Sequence, residues 1–215
     1  MQGRTGAMVL AGRDGDFSVY LRGAAAGVLR RFPERLVPEI YALSFRIWRV
    51  DDDDRRPYVA IGYNTESQYE RERRPEDPGE ARWNYACWLL DGFETLGSAP
   101  EDPVGGPLYE AEVRRLGLWF EEDQEDQEDQ EDHEDTEVEV KRELLQLHFD
   151  DAVLGLARHL HASGAIGSVL GRPLPVVIFD MYRPGWEVEA TAAANPPELI
   201  AGFLAWQRAQ EDPDA

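Results

Sequence analysis

Asp180 closes the most apolar run of the chain, "VVIFD" at 176–180, and Arg183 and Trp186 follow within six residues. Ligands of open α/β sheets gather at the carboxyl ends of strands, so a carboxylate here is well placed for chemistry. Arg183 can supply an anion contact and Trp186 a stacking surface. The competing reading is structural: Asp180 leads into "YRPG", and Pro184 followed by Gly185 is a turn signal. His148 and Asp151 form an i, i+3 pair, which suits a general base with its orienter or a plain surface hydrogen bond. His159 and His161 lie about 200° apart around a helix axis and cannot share a metal, while His148 and His159 are separated by about 16 Å along it. His148 and His159 border an apolar stripe and read as core-edge residues. Cys87, between large apolar residues in "NYACWLL", has the setting of a buried inert thiol.

Other chemistries lack their residues. "VVIFD" has the look of a magnesium-holding strand, but Lys141, the chain's one lysine, lies in no glycine loop of the phosphate-binding kind. No G-x-S-x-G elbow and no H-E-x-x-H helix occurs. Gly164, Gly167 and Gly171 have the wrong spacing for a dinucleotide site and follow a helix rather than a strand. A lone cysteine permits no intramolecular disulfide and no thiolate metal cluster. Neither a cofactor nor a metal is expected.

The 215 residues fit one domain with a sizeable core, and 42% hydrophobic content with six Trp, eight Tyr and eight Phe argues against a disordered chain. The net charge is -21. Residues 121–135 hold eleven Asp or Glu and no Lys or Arg, so about half the acidity sits in fifteen positions. The remainder is still acidic, which disfavours nucleic-acid phosphates and anionic membranes as partners. The start of the chain has only a short apolar patch at 8–11, and no run of 18 apolar residues follows, so a cytoplasmic location is expected.

The elements that would position these residues follow from periodicity. Phe17, Tyr20, Leu21, Ala24, Ala25, Val28, Leu29 and Phe32 recur at helical spacing over 16–32, before Pro33. Tyr41, Leu43, Phe45 and Ile47 alternate with Ala42, Ser44, Arg46 and Trp48, a strand with one apolar face; "DDDDRRP" turns it into "YVAIGYN", its antiparallel partner. Thr65 caps a short polar helix. The stretch 80–93 fits a helix (Trp83, Cys87, Leu90) or a strand, and its lack of β-branched residues favours the helix. A further helix spans 108–120. A long one spans 138–161 and buries Leu145, Phe149, Ala152, Leu156 and Leu160. Three glycines then break the pattern. The run ending at Asp180 reads as an interior strand. Asn195, Pro196 and Glu198 open a last helix as a capping box, and the final residues should fray. The acidic stretch at 121–137 is expected as a disordered, solvated insertion, with its EDQ units a local duplication. The sum is a single α+β domain, with a small mixed, largely antiparallel sheet of three strands covered by about five helices.

The strands "IYALSFRIW" and "PYVAIGYNTES", followed by "ARWNYACW", resemble a family of bacterial proteins catalogued as domain of unknown function 4303. The residues that carry the likeness are Asn64, Thr65 and Glu66, then Arg82, Trp83 and Trp88, and it spans less than half the chain. The family has no assigned activity; the resemblance implies a small acidic domain of the kind found near toxin–immunity systems. From the residues alone, Arg82 is placed to pair with Glu66 beside a turn and a helix cap. Together with the acidity and the missing catalytic signatures, this favours a non-enzymatic binding or immunity-type protein with a basic protein partner. The candidate binding residues are Asn64, Glu66, Arg82, Trp83, Asp180 and Arg183. The alternative is an enzyme or small-ligand protein with a site near Asp180.

Overall fold

The computed structural model describes residues 15–89, 93–121 and 131–211. In chain order its elements are α1 (Asp16–Arg31), β1 (Ile40–Arg49), β2 (Pro57–Thr65), α2 (Glu66–Glu72), α3 (Pro78–Trp83), β3 (Glu94–Gly97), α4 (Gly105–Arg115), α5 (Glu131–Ala162), α6 (Ala165–Leu170), β4 (Val176–Asp180), α7 (Trp186–Ala194) and α8 (Pro197–Glu211). Short 3₁₀ turns occupy Val37–Glu39, Val50–Asp52 and Tyr85–Cys87. The class is α+β, and the strand order is β3-β2-β1-β4. No helix among the described residues is long and apolar enough to cross a membrane.

The hairpin forms antiparallel as expected, with Ser44 opposite Gly62 and Phe45 opposite Ile61. β4 runs parallel to β1, Phe45 facing Ile178, and β3 adds an antiparallel fourth strand beside β2. Alternation then sorts the side chains. Leu43, Phe45, Ile47, Val59, Ile61, Val176 and Ile178 enter the larger core with Phe17, Leu21, Leu145, Phe149 and Leu156. Val177 and Phe179 point the other way, onto Trp88, Ile200 and Phe203. Helices therefore cover both faces of the sheet. Tyr41 departs from the alternation because the pairing slips between Ile40 and Ala42. The bulge sends its ring to the second core, away from Leu43.

Several expectations need correction. The apolar strand at 176–180 is wholly buried but lies at the sheet edge, not its interior. Its outward backbone groups are covered by side chains: Val176 N donates to Asn195 Oδ1 at 2.7 Å, Asn195 Nδ2 returns a bond to Val176 O, and Ile178 N donates to Thr191 Oγ1. Asn195 is thus spent on the sheet edge rather than on capping the last helix, which begins at Pro197. The helix expected over 80–93 resolves into α3 and a 3₁₀ turn; Leu90 lies outside the described residues. β3 and α7 are additional to the expected elements, and Gly185, at φ 94°, turns the chain from the Asp180 loop into α7. The glycines at 164 and 171 bound the short helix α6.

The loop expected over 121–137 is helical from Glu131 onward. Glu137 adds an i, i+4 pair with Lys141 at 2.7 Å. Residues 122–130, which hold the EDQ units, the apolar patch at 8–11 and the last four residues lie outside the described residues.

Candidate functional site

β4 delivers Asp180 to the end of the sheet beside Ile47 of β1, and the turn after it folds back on the carboxylate. Tyr182 N donates to Asp180 Oδ1 at 2.9 Å, and Arg183 Nε donates to Oδ2 at 2.7 Å. The rest of the Arg183 guanidinium grips Asp150 of α5 through two bonds of 2.6 and 2.7 Å, and its plane lies 4.0 Å from the Trp186 ring centre. Arg49 stands 3.9 Å from Asp180 on the other side, pairs with Asp54 at 2.7 Å and stacks on Tyr182. With its amide oriented to suit these donors, the Gln146 carbonyl accepts from Arg183 Nε and Arg49 Nη2, each at 2.9 Å. Burial pushes the Asp150 carboxyl above the ordinary carboxylate range, with the Arg183 fork opposing it.

Asp180, Arg183 and Trp186 are thus brought together as expected, but the Asp180 carboxylate and the Arg183 guanidinium are already engaged. General acid–base work needs a lone pair or proton aimed at open volume. The cavity lined by Arg49, Gln146, Asp150 and Asp180 measures about 10 Å³, roughly the space of one water molecule. This is a closed ion-pair network with no room for a substrate. His148 does not join it and does not engage Asp151. Its Nε2 lies 3.0 Å from Glu112 Oε1, and its ring stacks on Tyr109. Glu112 also accepts from Phe17 N at the start of α1, where a carboxylate complements the helix dipole. The His148 contact, first, holds the Glu112 carboxyl below its ordinary range. Among the other histidines, His159 is exposed and His161 bonds Asn195 at 3.0 Å. Cys87 is only partly buried rather than enclosed as expected, and such burial as it has raises its thiol.

The second group of candidates lies on the opposite face and at the opposite end of the sheet. Arg82 pairs with Glu66 through both nitrogens, at 2.8 and 3.0 Å, and its guanidinium covers the Tyr41 and Tyr69 rings. Thr65 Oγ1 accepts from Gln68 N and caps α2. Asn64 Nδ2 donates to Tyr41 Oη, which donates to Arg82 O, and Trp88 Nε1 donates to the same carbonyl. Trp83 packs edge-on against Phe203. The corner is a staple joining β1, β2, α2 and α3, and it does not meet the Asp180 group.

What periodicity missed is a surface. α5 buries Leu145, Phe149 and Leu156, yet its solvent side carries Val140, Leu144 and Leu147, which are 48%, 41% and 58% exposed. At 100° per residue these three fall within about 60° of one another, opposite Phe149. Glu137, Glu139, Glu143 and Asp151 stand exposed around them. One buried stripe already accounts for a period of 3.6, and a second stripe on the opposite side of the same helix adds no period of its own. Comparison with protein-family models, curated proteins and solved structures returns no match.

Proposed function

We propose that this chain is a non-enzymatic binding protein of immunity type, acting in the bacterial cytoplasm, that holds a basic protein partner against the outer face of α5. The observation that carries the reading is the exposed row of Val140, Leu144 and Leu147 among carboxylates. Grouped exposed apolar residues with a polar rim mark interaction sites, and charge of one sign around them selects a partner of the other. The acidic stretch of 121–135 leads directly into this helix and extends the same field. The likeness to the domain of unknown function 4303 family belongs to the same proposal, since it too points to small acidic binding domains. Saturation of Asp180 and Asp150 by Arg183 and Arg49 weighs against the alternative of an enzyme site there.

The test is retention from an extract of the source cells at low salt, comparing the wild-type chain with a Leu144→Glu, Leu147→Glu double variant. The wild type should retain one basic protein in stoichiometric amount and release it at about 0.5 M salt, where surface charges are screened. The variant should retain none, with its melting temperature unchanged because both residues face solvent. Equal retention by the two, or no stoichiometric partner for the wild type, defeats the proposal.

A further inference from the structure

Arg46 is the exception among the deeply placed arginines of the described residues. Arg49 faces Asp54 and Asp180, Arg55 faces Asp53, and Arg183 faces Asp150 and Asp180. Arg46 is 3% exposed, and no carboxylate among the described residues pairs with it. Its Nη2 reaches Leu89 O at a long 3.5 Å, and its Nε has no hydrogen-bond partner. Ser44, two residues earlier and on the same face of β1, is fully buried, and its Oγ is also without a partner. Aromatic rings wall the guanidinium: Phe93 lies 4.6 Å and Tyr85 6.0 Å from it, centre to centre. Gly62, opposite Ser44, makes the wall possible, since a Cβ there would fall 2.4 Å from the Phe93 ring.

A buried charge is costly unless it is paired, and ring faces replace only part of a guanidinium's lost hydration. The free Nε–H can donate to a carboxylate or phosphate oxygen, and a neighbouring hydroxyl supplies a second donor to the same ligand. We infer that Arg46 and Ser44, walled by Phe93 and Tyr85, form a binding site for a small oxyanion. This site is on the sheet face away from α5 and does not depend on the α5 surface. Burial holds the Arg46 pKa below its ordinary value, which an arriving anion would reverse.

Thermal melting with inorganic phosphate and with acetate, each against chloride at matched ionic strength, tests the inference. One of the two should raise the wild-type melting temperature saturably, by about 5 °C at a hundredfold excess over Kd. A phosphate response identifies phosphoryl ligands, and an acetate response carboxylates. Arg46→Met should abolish the response while melting in chloride no lower than the wild type, because it removes a lone buried charge. No saturable response in the wild type, or the same response in Arg46→Met, overturns the site. Should Arg46→Met fail to fold, Ser44→Ala decides: a response cut by half or more supports the site, and an undiminished one overturns it.

Discussion

At the scale of residues, the Asp180 network shows how local reading and tertiary structure divide the information. That Asp180 would bond into its own turn was legible, because Arg183 is only three residues away in a turn-forming stretch. Asp150, Arg49 and Gln146 were not, since they arrive from α5 and β1 and nothing in their own neighbourhoods marks them. Glu66 and Arg82 were readable because they stand at the two ends of the short α2–α3 segment, close in sequence, and their bridge is half-exposed and so worth little by itself. The Arg183 bridge is different, because two buried carboxylates depend on one guanidinium. Arg183→Met should cost about 3–5 kcal/mol at pH 7, the range for breaking a buried pair from one side. The loss should also depend on pH. Without the guanidinium, nothing opposes the burial and the neighbouring Asp180 charge that already raise the Asp150 carboxyl, so it holds its proton more tightly folded than unfolded. The folded variant then binds more protons, so its stability rises as pH falls toward 5, narrowing the gap to wild type. Urea melts at pH 7 and pH 5 give the comparison, and a gap that stays constant would show that lost packing, not the orphaned charges, is responsible.

Elements were legible where burial is one-sided and illegible where it is not. α1 and the hairpin carry one plainly apolar face each, so period 3.6 and period 2 stood out, and the structure gives α1 at Asp16–Arg31 and the two strands paired antiparallel. α5 is apolar on two opposite sides, which hid the outer stripe. β3 has four residues and no repeat to count, and α7 is so rich in alanine that no face distinguishes itself. Continuous apolarity told of burial at β4 but could not tell an interior strand from an edge covered by side chains. That covering is a testable device, because uncovered edges invite pairing with other chains. Asn195→Leu keeps the size of the residue but leaves Val176 N–H and C=O, both buried, without partners. We expect a loss of about 2–3 kcal/mol, from the cost of unsatisfied buried groups. Equilibrium unfolding measures it, and light scattering on warming should show earlier aggregation than in wild type. Unchanged stability would mean that another group, or water, takes over the edge.

For the molecule as a whole, the dominant quantity is charge, and its distribution separates two roles that the sequence presents as one. The acidic stretch supplies about half of a net charge of -21, but the core is built from residues that begin at Leu145 within α5 and lie elsewhere in the chain. Deleting residues 122–135 shortens α5 by its first turn and removes self-repulsion together with a favourable helix-dipole contribution. These oppose each other, so the melting temperature should move by no more than a few degrees, and its rise with added salt should become smaller than in wild type. The consequence for binding is sharper. Charges at the rim of an interface act chiefly on the rate of encounter, while desolvated apolar contacts set how long the complex lasts. For the partner retained by the wild-type chain, the deletion should lower the association rate about tenfold or more at low salt and leave the dissociation rate nearly unchanged. Leu147→Ala should do the reverse. Surface plasmon resonance across a salt series distinguishes the two. If the deletion instead accelerates dissociation as strongly as Leu147→Ala does, the stretch is in contact with the partner, and steering is not its role.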